Sequence, residues 1–374
     1  MLRYLTSGES HGKCLIAILD GMPAGLKVDE SSINEELARR MAGYGRGGRM
    51  KIEADKAQIL SGLRRSMTIG SPITVMVKNI DQSIDRLPVI LEPRPGHADL
   101  TGAIKYDRAD IRDVLERASA RETAARVSVG ALCKILLAEF GIRITSHVMV
   151  IGNIESRPNN LGFRQIVTLS EQSPVRCADR AASRLMCKGI DRAASEGDTL
   201  GGVFEIIVNG VPPGLGSYVQ WDRRLDGILA GAVMSIQAVK GVSFGAGFEL
   251  AAKRGSSVHD EIFYSQNKRF FRKTNNAGGI EGGMTNGEDI RIRAAMKPIA
   301  TLVKPLASVN IKTKRAFKAT VERSDTCAVP AAGVIGESVV AVEIANALIG
   351  KFGGDSLGEM RRNFDGYLKQ VRKF

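Results

Sequence analysis

The run DIRDVLERASARETAARVSVGALCKILLAEFG, residues 110–141, is the longest helical tract in the chain, and the rest of the fold is read outward from it. Val114, Leu115, Ala118, Val129, Leu132, Ile135 and Leu136 recur at a spacing of three to four, the period of a helix with a buried face. Gly141 closes the tract, as glycine does where a helix ends in a left-handed residue. Inside it, Ser119-Ala-Arg-Glu122 has the form of a capping box, where a hydroxyl and a carboxylate reciprocally satisfy backbone N–H groups. The tract therefore reads as a helix that breaks near Arg117 and restarts at Ser119.

Strand signals flank this tract. Residues 1–6 form a short apolar strand candidate that enters the glycine-bounded turn GESHG, followed by a strand at CLIAIL. SSINEELARRM reads as a helix with Ser31 or Ser32 as N-cap, ending at Gly43 in the loop AGYGRGGR. Further strand-like runs are PITVMV and GVFEIIV. From about residue 270 the chain is loop-rich, through TNNAGGIEGGMTNG, KPIATL and RSDTCAVPAAG, and a final helix covers ESVVAVEIANALI. No linker, low-complexity run or solenoid repeat divides it. Motifs able to carry chemistry spread from residue 8 to residue 327, which favours one intertwined domain.

The net charge of +13 points to an anionic partner without naming the anion. Aromatics make up 5% of the chain, with one Trp, and no helix-turn-helix, RNP or zinc pattern is present, which argues against nucleic acid. The five cysteines are odd in number and lack a CxxC pair, so they read as small buried side chains, not as disulfides or zinc ligands. No cleavable leader is evident and no apolar run approaches a membrane span. The expectation is a reduced, soluble, cytoplasmic protein with no metal.

Two motifs match familiar signatures without their context. GESHG fits the nucleophile elbow, with Ser10 as the nucleophile, but an elbow needs a helix after it and upstream strands before it. GYGRGG fits the dinucleotide fingerprint, but a helix precedes it where a strand belongs. The arginines there say more than the glycines: Arg39, Arg40, Arg46 and Arg49 converge on one loop suited to bidentate capture of phosphate or carboxylate. Of only four histidines, His11 and His97 sit beside glycine in ordered turns (SGESHGK and PRPGHAD), which points to proton transfer near neutral pH. Arg117-Ala118-Ser119 leads into a helix start, where N–H groups favour an anion. GGIEGG lets a backbone approach a flat ligand closely.

All of these segments, in this order, resemble chorismate synthase. The resemblance rests on GESHGKCLIAILDGMP, ERASARETAARVSVGAL and RSDTCAVPAAGV, supported by PRPGHADLTGAIKY, SIQAVKGV, TNNAGGIEGG and KPIAT, and it runs to GGDSLGEMRRNFDGY. LARRMAGYGRGGRMKIEADK and IEGGMTNGEDI are more similar to the shorter bacterial members than to fungal and plant ones. The resemblance implies an α+β fold, a β-α-β sandwich with helices packed between antiparallel sheets, as a single large domain over residues 1–374 and a homotetramer. It implies elimination of phosphate and a proton from 5-enolpyruvylshikimate 3-phosphate to give chorismate, the last common step toward the aromatic amino acids. It also implies a requirement for reduced FMN, with no net redox change. NADPH-dependent reduction by the protein itself and a separate flavin reductase both stay open.

Carried over residue by residue, His11 protonates the departing phosphate, His97 stabilises the reduced flavin, and Asp325 assists the flavin nitrogen that takes up the substrate proton. Ser10, Arg40, Arg46 and Arg49 hold substrate, Arg40 and Arg46 also matching positions linked to NADPH. Arg117, Ala118, Ser119, Gln237, Ala238, Gly282, Lys297, Pro298, Ile299, Ala300, Thr301 and Arg323 line the FMN site. His147 and His259 match no motif and read as structural or surface residues. Ala300 stands where many members have Pro, and Thr326 where Pro, Val or Ser is usual; neither change touches a titrating group.

Overall fold

The computed structural model describes residues 1–47, 54–156, 161–322 and 324–374. Its two main sheets are antiparallel throughout. The first, in the order β1-β2-β4-β3, is built from β1 (Arg3–Ser7), β2 (Cys14–Asp20), β3 (Ala57–Ile59) and β4 (Ile73–Lys78). The second, in the order β8-β9-β7-β5-β6, is built from β5 (Arg143–Ile151), β6 (Ile154–Glu155), β7 (Gly202–Asn209), β8 (Val239–Phe244) and β9 (Ile290–Met296).

Register decides which side chains face inward. In the first sheet Leu15, Ala17 and Leu19 pair with Val77, Val75 and Ile73, and all six are buried. In the second, Val208, Ile206 and Phe204 pair with Ile290, Ile292 and Ala294, all fully buried. Period-two alternation thus gives each sheet one apolar face. Between the two faces lie α4 (Thr123–Ala138) and α8 (Val329–Phe352), which pack on each other. Helix α4 touches β1, β2 and β4, whereas α8 touches β5 and β7. One apolar core cluster runs through both sheets and both helices. The expected β-α-β sandwich is the observed α+β architecture.

Helix α8 is apolar nearly all round, the mark of a helix enclosed by protein. Its length and composition would allow a bilayer crossing, contrary to the expectation that no segment comes near a span. It serves instead as the core helix, with 83% of its most apolar window buried in the protein. Close packing depends on small residues at the crossings. A Cβ on Gly130 of α4 would overlap Ser338, and one on Gly336 would meet Phe204 and Ile206.

Other helices are α1 (Glu30–Met41), α2 (Asp99–Lys105), α3 (Arg112–Ala118), α5 (Phe163–Glu171), α6 (Arg180–Ser195), α7 (Leu225–Met234) and α9 (Leu357–Lys373). Several expectations need correction. The N-cap of α1 is Asp29, whose carboxylate accepts the Ser31 N–H, so neither Ser31 nor Ser32 fills that role. The expected break near Arg117 and restart at Ser119 are observed, since α3 ends at Ala118 and Ser119 caps a 3-10 turn over Ala120–Glu122 before α4 begins. The capping box does not form, because Glu122 turns to Arg126, Thr6 and Gln237. The last helix is α9, and the loop-rich region conceals β9, a central strand.

The centre of α8 carries a charge. Glu337, fully buried, accepts from Arg39 at 2.7 and 2.9 Å, Lys134 at 2.6 Å, Arg176 at 3.2 Å and Ser146 Oγ at 2.6 Å. Burial pushes its carboxyl upward, but Lys134, Arg39 and Arg176 outweigh that and hold it well below the ordinary range. Glu337→Gln leaves the cations around a neutral amide. It should destabilise the fold by about 3–5 kcal/mol, read from the urea midpoint. Because the folded-state value is depressed, this contribution is complete above the ordinary glutamate value of 4.5 and is lost as pH falls below it. Wild type and variant should therefore converge in stability in acid. Gly130→Ala should cost about 1–3 kcal/mol through overpacking at the α4–α8 crossing, read the same way.

Candidate active site

The turn between β1 and β2 is fastened from below. Asn79, just past β4, donates through Nδ2 to the carbonyls of Glu9 at 3.1 Å, Ser10 at 3.3 Å and Gly12 at 2.8 Å. Its Oδ1 accepts from Arg121 Nε at 2.9 Å. Gly8 enters the turn at a φ of +105°, where a side chain would also collide with the Cys14 carbonyl. His11 is thereby held against α3. Glu116 accepts its backbone N–H at 2.8 Å and lies 2.9 Å from Nδ1. The Glu116 carbonyl accepts the Ser10 N–H at 3.0 Å, and Ser10 Oγ is 3.1 Å from Ser119 Oγ. A strand, not a helix, follows Ser10, so the nucleophile elbow is not built here.

A group of arginines borders this turn. Arg112 donates to Glu322 at 3.0 Å and approaches Glu116 at 3.5 Å. Arg121 pairs with the buried Asp55 at 2.5 Å. Arg40, 3% exposed, commits its three nitrogens to Thr123 Oγ1, Asp55 and the Ala120 carbonyl. Burial holds its guanidinium down at about 10, with Arg46 and Arg121 adding to the effect and Asp55 and Asp325 opposing it. All three nitrogens of Arg40 are thus bonded within the protein. Arg46 pairs with Asp325 at 2.6 Å, and the Gly47 N–H donates to the same carboxylate at 2.7 Å. Asp325 is thus joined to the Arg46 loop. Arg323 and Arg49 lie outside the described residues. Arg39 does not converge on the loop; Glu337, Glu36 and Glu171 hold it inside the fold.

His97 repeats the pattern of His11. Its Nδ1 lies 2.5 Å from Asp99, a fully buried carboxylate that also accepts from Arg94 at 2.8 and 3.0 Å. Burial raises the Asp99 carboxyl, but His97 and Arg94 outweigh it and hold it well below the usual range. Arg94 donates to Thr301 Oγ1 at 2.8 Å, and Ser324 Oγ donates to the Thr301 carbonyl at 2.9 Å. His97, the segment 297–301 and Asp325 therefore share one bonded framework. Lys297 donates to the Gly96 carbonyl at 2.9 Å, and its ammonium is held below its ordinary value by burial first and Lys240 second. Pro298 is exposed and Ala300 half-buried, while Ile299 accepts from Thr199 through its carbonyl.

A further chain of bonds crosses β1. Arg117 donates to the carbonyls of Gly8 and Thr6 at 3.0 and 2.8 Å, and Ala118 ends α3 beside it. Thr6 Oγ donates to Glu122, which also accepts from Gln237 at 3.3 Å. The Lys297 N–H donates to the Ala238 carbonyl, and Ala238 has a φ of +67°, unusual for a residue with a side chain. Gly282 stands in the hairpin joining Ile280–Glu281 to Met284–Thr285, where Tyr218 Cβ at 4.0 Å is the nearest atom a side chain would meet. Its neighbours Gly278 and Gly279 are committed to packing against Gly245 and residues 289–290, so only part of the glycine run is open to a ligand.

His147 is buried against Glu205 at 3.2 Å and His259 is exposed, so neither belongs to this assembly. Glu116, Arg112, Arg94, Asp99, Asp55 and Asn79 went unread in the sequence. Four of them sit inside the quoted motifs, but nothing in the pattern said that their charges are buried.

A family model described as chorismate synthase matches residues 2–349. The chain is 57% identical to a chorismate synthase of Geobacter sulfurreducens and 55% identical to one of Symbiobacterium thermophilum, each alignment covering 100% of both chains. It is 52% identical to a protein of Bacillus cereus named chorismate synthase 2, again over 100% of both. A crystal structure of chorismate synthase superposes with a TM-score of 0.83 at 44% identity, covering 100% of this chain and 99% of that one.

Replacing Asn79 with Ala removes the bonds that gather the 9–12 carbonyls. The expected result is faster amide hydrogen exchange across residues 9–13, a loss of about 1–3 kcal/mol in stability and a still-folded protein.

Proposed function

The chain belongs to the chorismate synthase family, and from that premise we propose that it converts 5-enolpyruvylshikimate 3-phosphate to chorismate by eliminating phosphate and a proton. The observation that carries this reading is the pairing of His11 and His97 with buried carboxylates inside one group of arginines. The substrate brings a phosphate and two carboxylates, which matches the surplus of cations there. Arg46, with Arg49, binds these anions, and Arg40 and Arg121 stiffen the loop and add positive potential. His11 gives a proton to the departing phosphate; Ser10 and Ser119 border the same turn.

The residues assigned to FMN fit such a group. The Gln237 Oε1 atom is buried without a hydrogen-bond partner among the described residues, and Gly282 faces open space. Lys297, uncomfortable beside Lys240, gains from a phosphate. Arg117, Ala118, Ser119, Gln237, Ala238, Gly282, Arg323 and the segment Lys297, Pro298, Ile299, Ala300 and Thr301 hold it. Reduced FMN, when bound, supplies the electron-rich partner that no side chain offers to a proton lacking a strongly activating neighbour. His97, oriented by Asp99, supports the reduced form, and Asp325 assists uptake of the substrate proton. NADPH or a separate flavin reductase provides the reducing equivalents. We further read residues 1–374 as one cytoplasmic domain, working as a homotetramer.

The test is anaerobic. Purified protein, reduced FMN and 5-enolpyruvylshikimate 3-phosphate should release phosphate and develop the diene absorbance of chorismate, and oxidised FMN should give neither. His11→Ala and His97→Ala should each lose roughly 10²–10⁴ in turnover while still binding FMN. Wild-type rates in either variant would remove the role assigned to that histidine.

A further inference from the structure

We infer that Glu116 is the positioning residue for His11: it fixes the imidazole with Nδ1 protonated and assigns proton delivery to Nε2. Three contacts make the clasp. The Glu116 carboxylate accepts the His11 backbone N–H at 2.8 Å and sits 2.9 and 3.1 Å from Nδ1, and its own carbonyl accepts the Ser10 N–H at 3.0 Å. Glu116 of α3 thus contacts both the backbone and the ring of His11.

Glu116 is 3% exposed, yet it keeps its charge. Burial raises its carboxyl, but the two His11 hydrogen bonds and the charges of His11 and Arg112 bring it below the ordinary value. An ionised carboxylate can only accept, so the nitrogen facing it carries the hydrogen. A neutral imidazole held this way keeps its lone pair on Nε2. Among the described residues, charged groups on the elements around this pair include Arg112, Asp113 and Arg117 on α3, Glu322 bonded to Arg112, Glu9 and Lys13 in the turn, and Asp85 and Arg86 beside Ile84, whose N–H donates to the His11 carbonyl.

This inference rests on the reading of His11 as the acid. As the substrate's C–O bond breaks, its electron pair goes to the phosphate oxygen, which takes the Nε2 proton. The imidazole is left neutral with Nδ1–H still directed at Glu116, and water restores the proton. The carboxylate does not itself become protonated.

The experiment uses the full-length protein labelled with 15N-histidine, free of substrate and flavin, followed by NMR through the imidazole titration. Wild type should show His11 as the Nδ1–H tautomer when neutral. In Glu116→Gln the amide donates to Nδ1, so the neutral ring should become the Nε2–H tautomer. Glu116→Asp, which restores a group that only accepts, should recover the Nδ1–H tautomer in part. In turnover, Glu116→Gln should lose about tenfold or more in kcat, with FMN binding retained. A wild-type ring that is Nε2–H when neutral, or a tautomer unchanged in Glu116→Gln, would overturn the assignment. The tautomer needs no reaction to be seen, so the expected spectra with no turnover by wild type would sink the proposed activity and leave the clasp standing.

Discussion

One buried carboxylate ties the layers of this fold together. Glu337 sits at the middle of an apolar helix where an unpaired charge would be intolerable, and each of its partners comes from a different part of the chain. Arg39 brings α1, Lys134 brings α4, Ser146 brings the second sheet, and Arg176 brings the segment between α5 and α6. Apolar surface could pack in several registers, but the ionic group is satisfied in one. The position of α1 follows, and with it the position of Arg40 and of the loop that carries Arg46.

The adjacent arginines 39 and 40 show what the sequence can and cannot tell. Both read as members of one anion-binding cluster. A hundred degrees of helical rotation separates them, and that rotation sends Arg39, half-buried, to Glu337 and Glu171 and Arg40, buried, to Asp55 and Thr123. Helices and strands with a clean apolar face, such as β2, β4, β7 and α4, were legible because one side meets water or a second layer. Strand β9 was not, since Arg291 and Arg293 alternate with its buried residues and resemble a loop. Their charge is answered by Glu205 on the neighbouring strand, a pairing that only register reveals.

The site divides along the same line. His11, His97 and Asp325 were visible because imidazoles and short charged motifs are rare and stand out beside glycine. The groups that orient them were hidden in plain view. Glu116 lies on a helix whose neighbours are mostly charged, and Asp99 reads as an ordinary helix-start acid. Burial changes their meaning, since a carboxylate on a wet surface directs very little, whereas one at 3% exposure or less sets the tautomer of its neighbour.

The central helix also sets a clock on biosynthesis. Arg39 and Glu337 stand 298 residues apart. At about 5–20 residues per second, a ribosome takes roughly 15–60 s to travel from one to the other. By the end of that interval the first sheet, α4 and then the strands of the second sheet have been made in turn, each before the helix that covers them. The nascent chain must wait in a partly open state with apolar strands exposed, which is the kind of species that chaperones hold. The two layers can therefore close around α8 only after residues 329–352 are made, although His11, Arg40 and His97 are made long before.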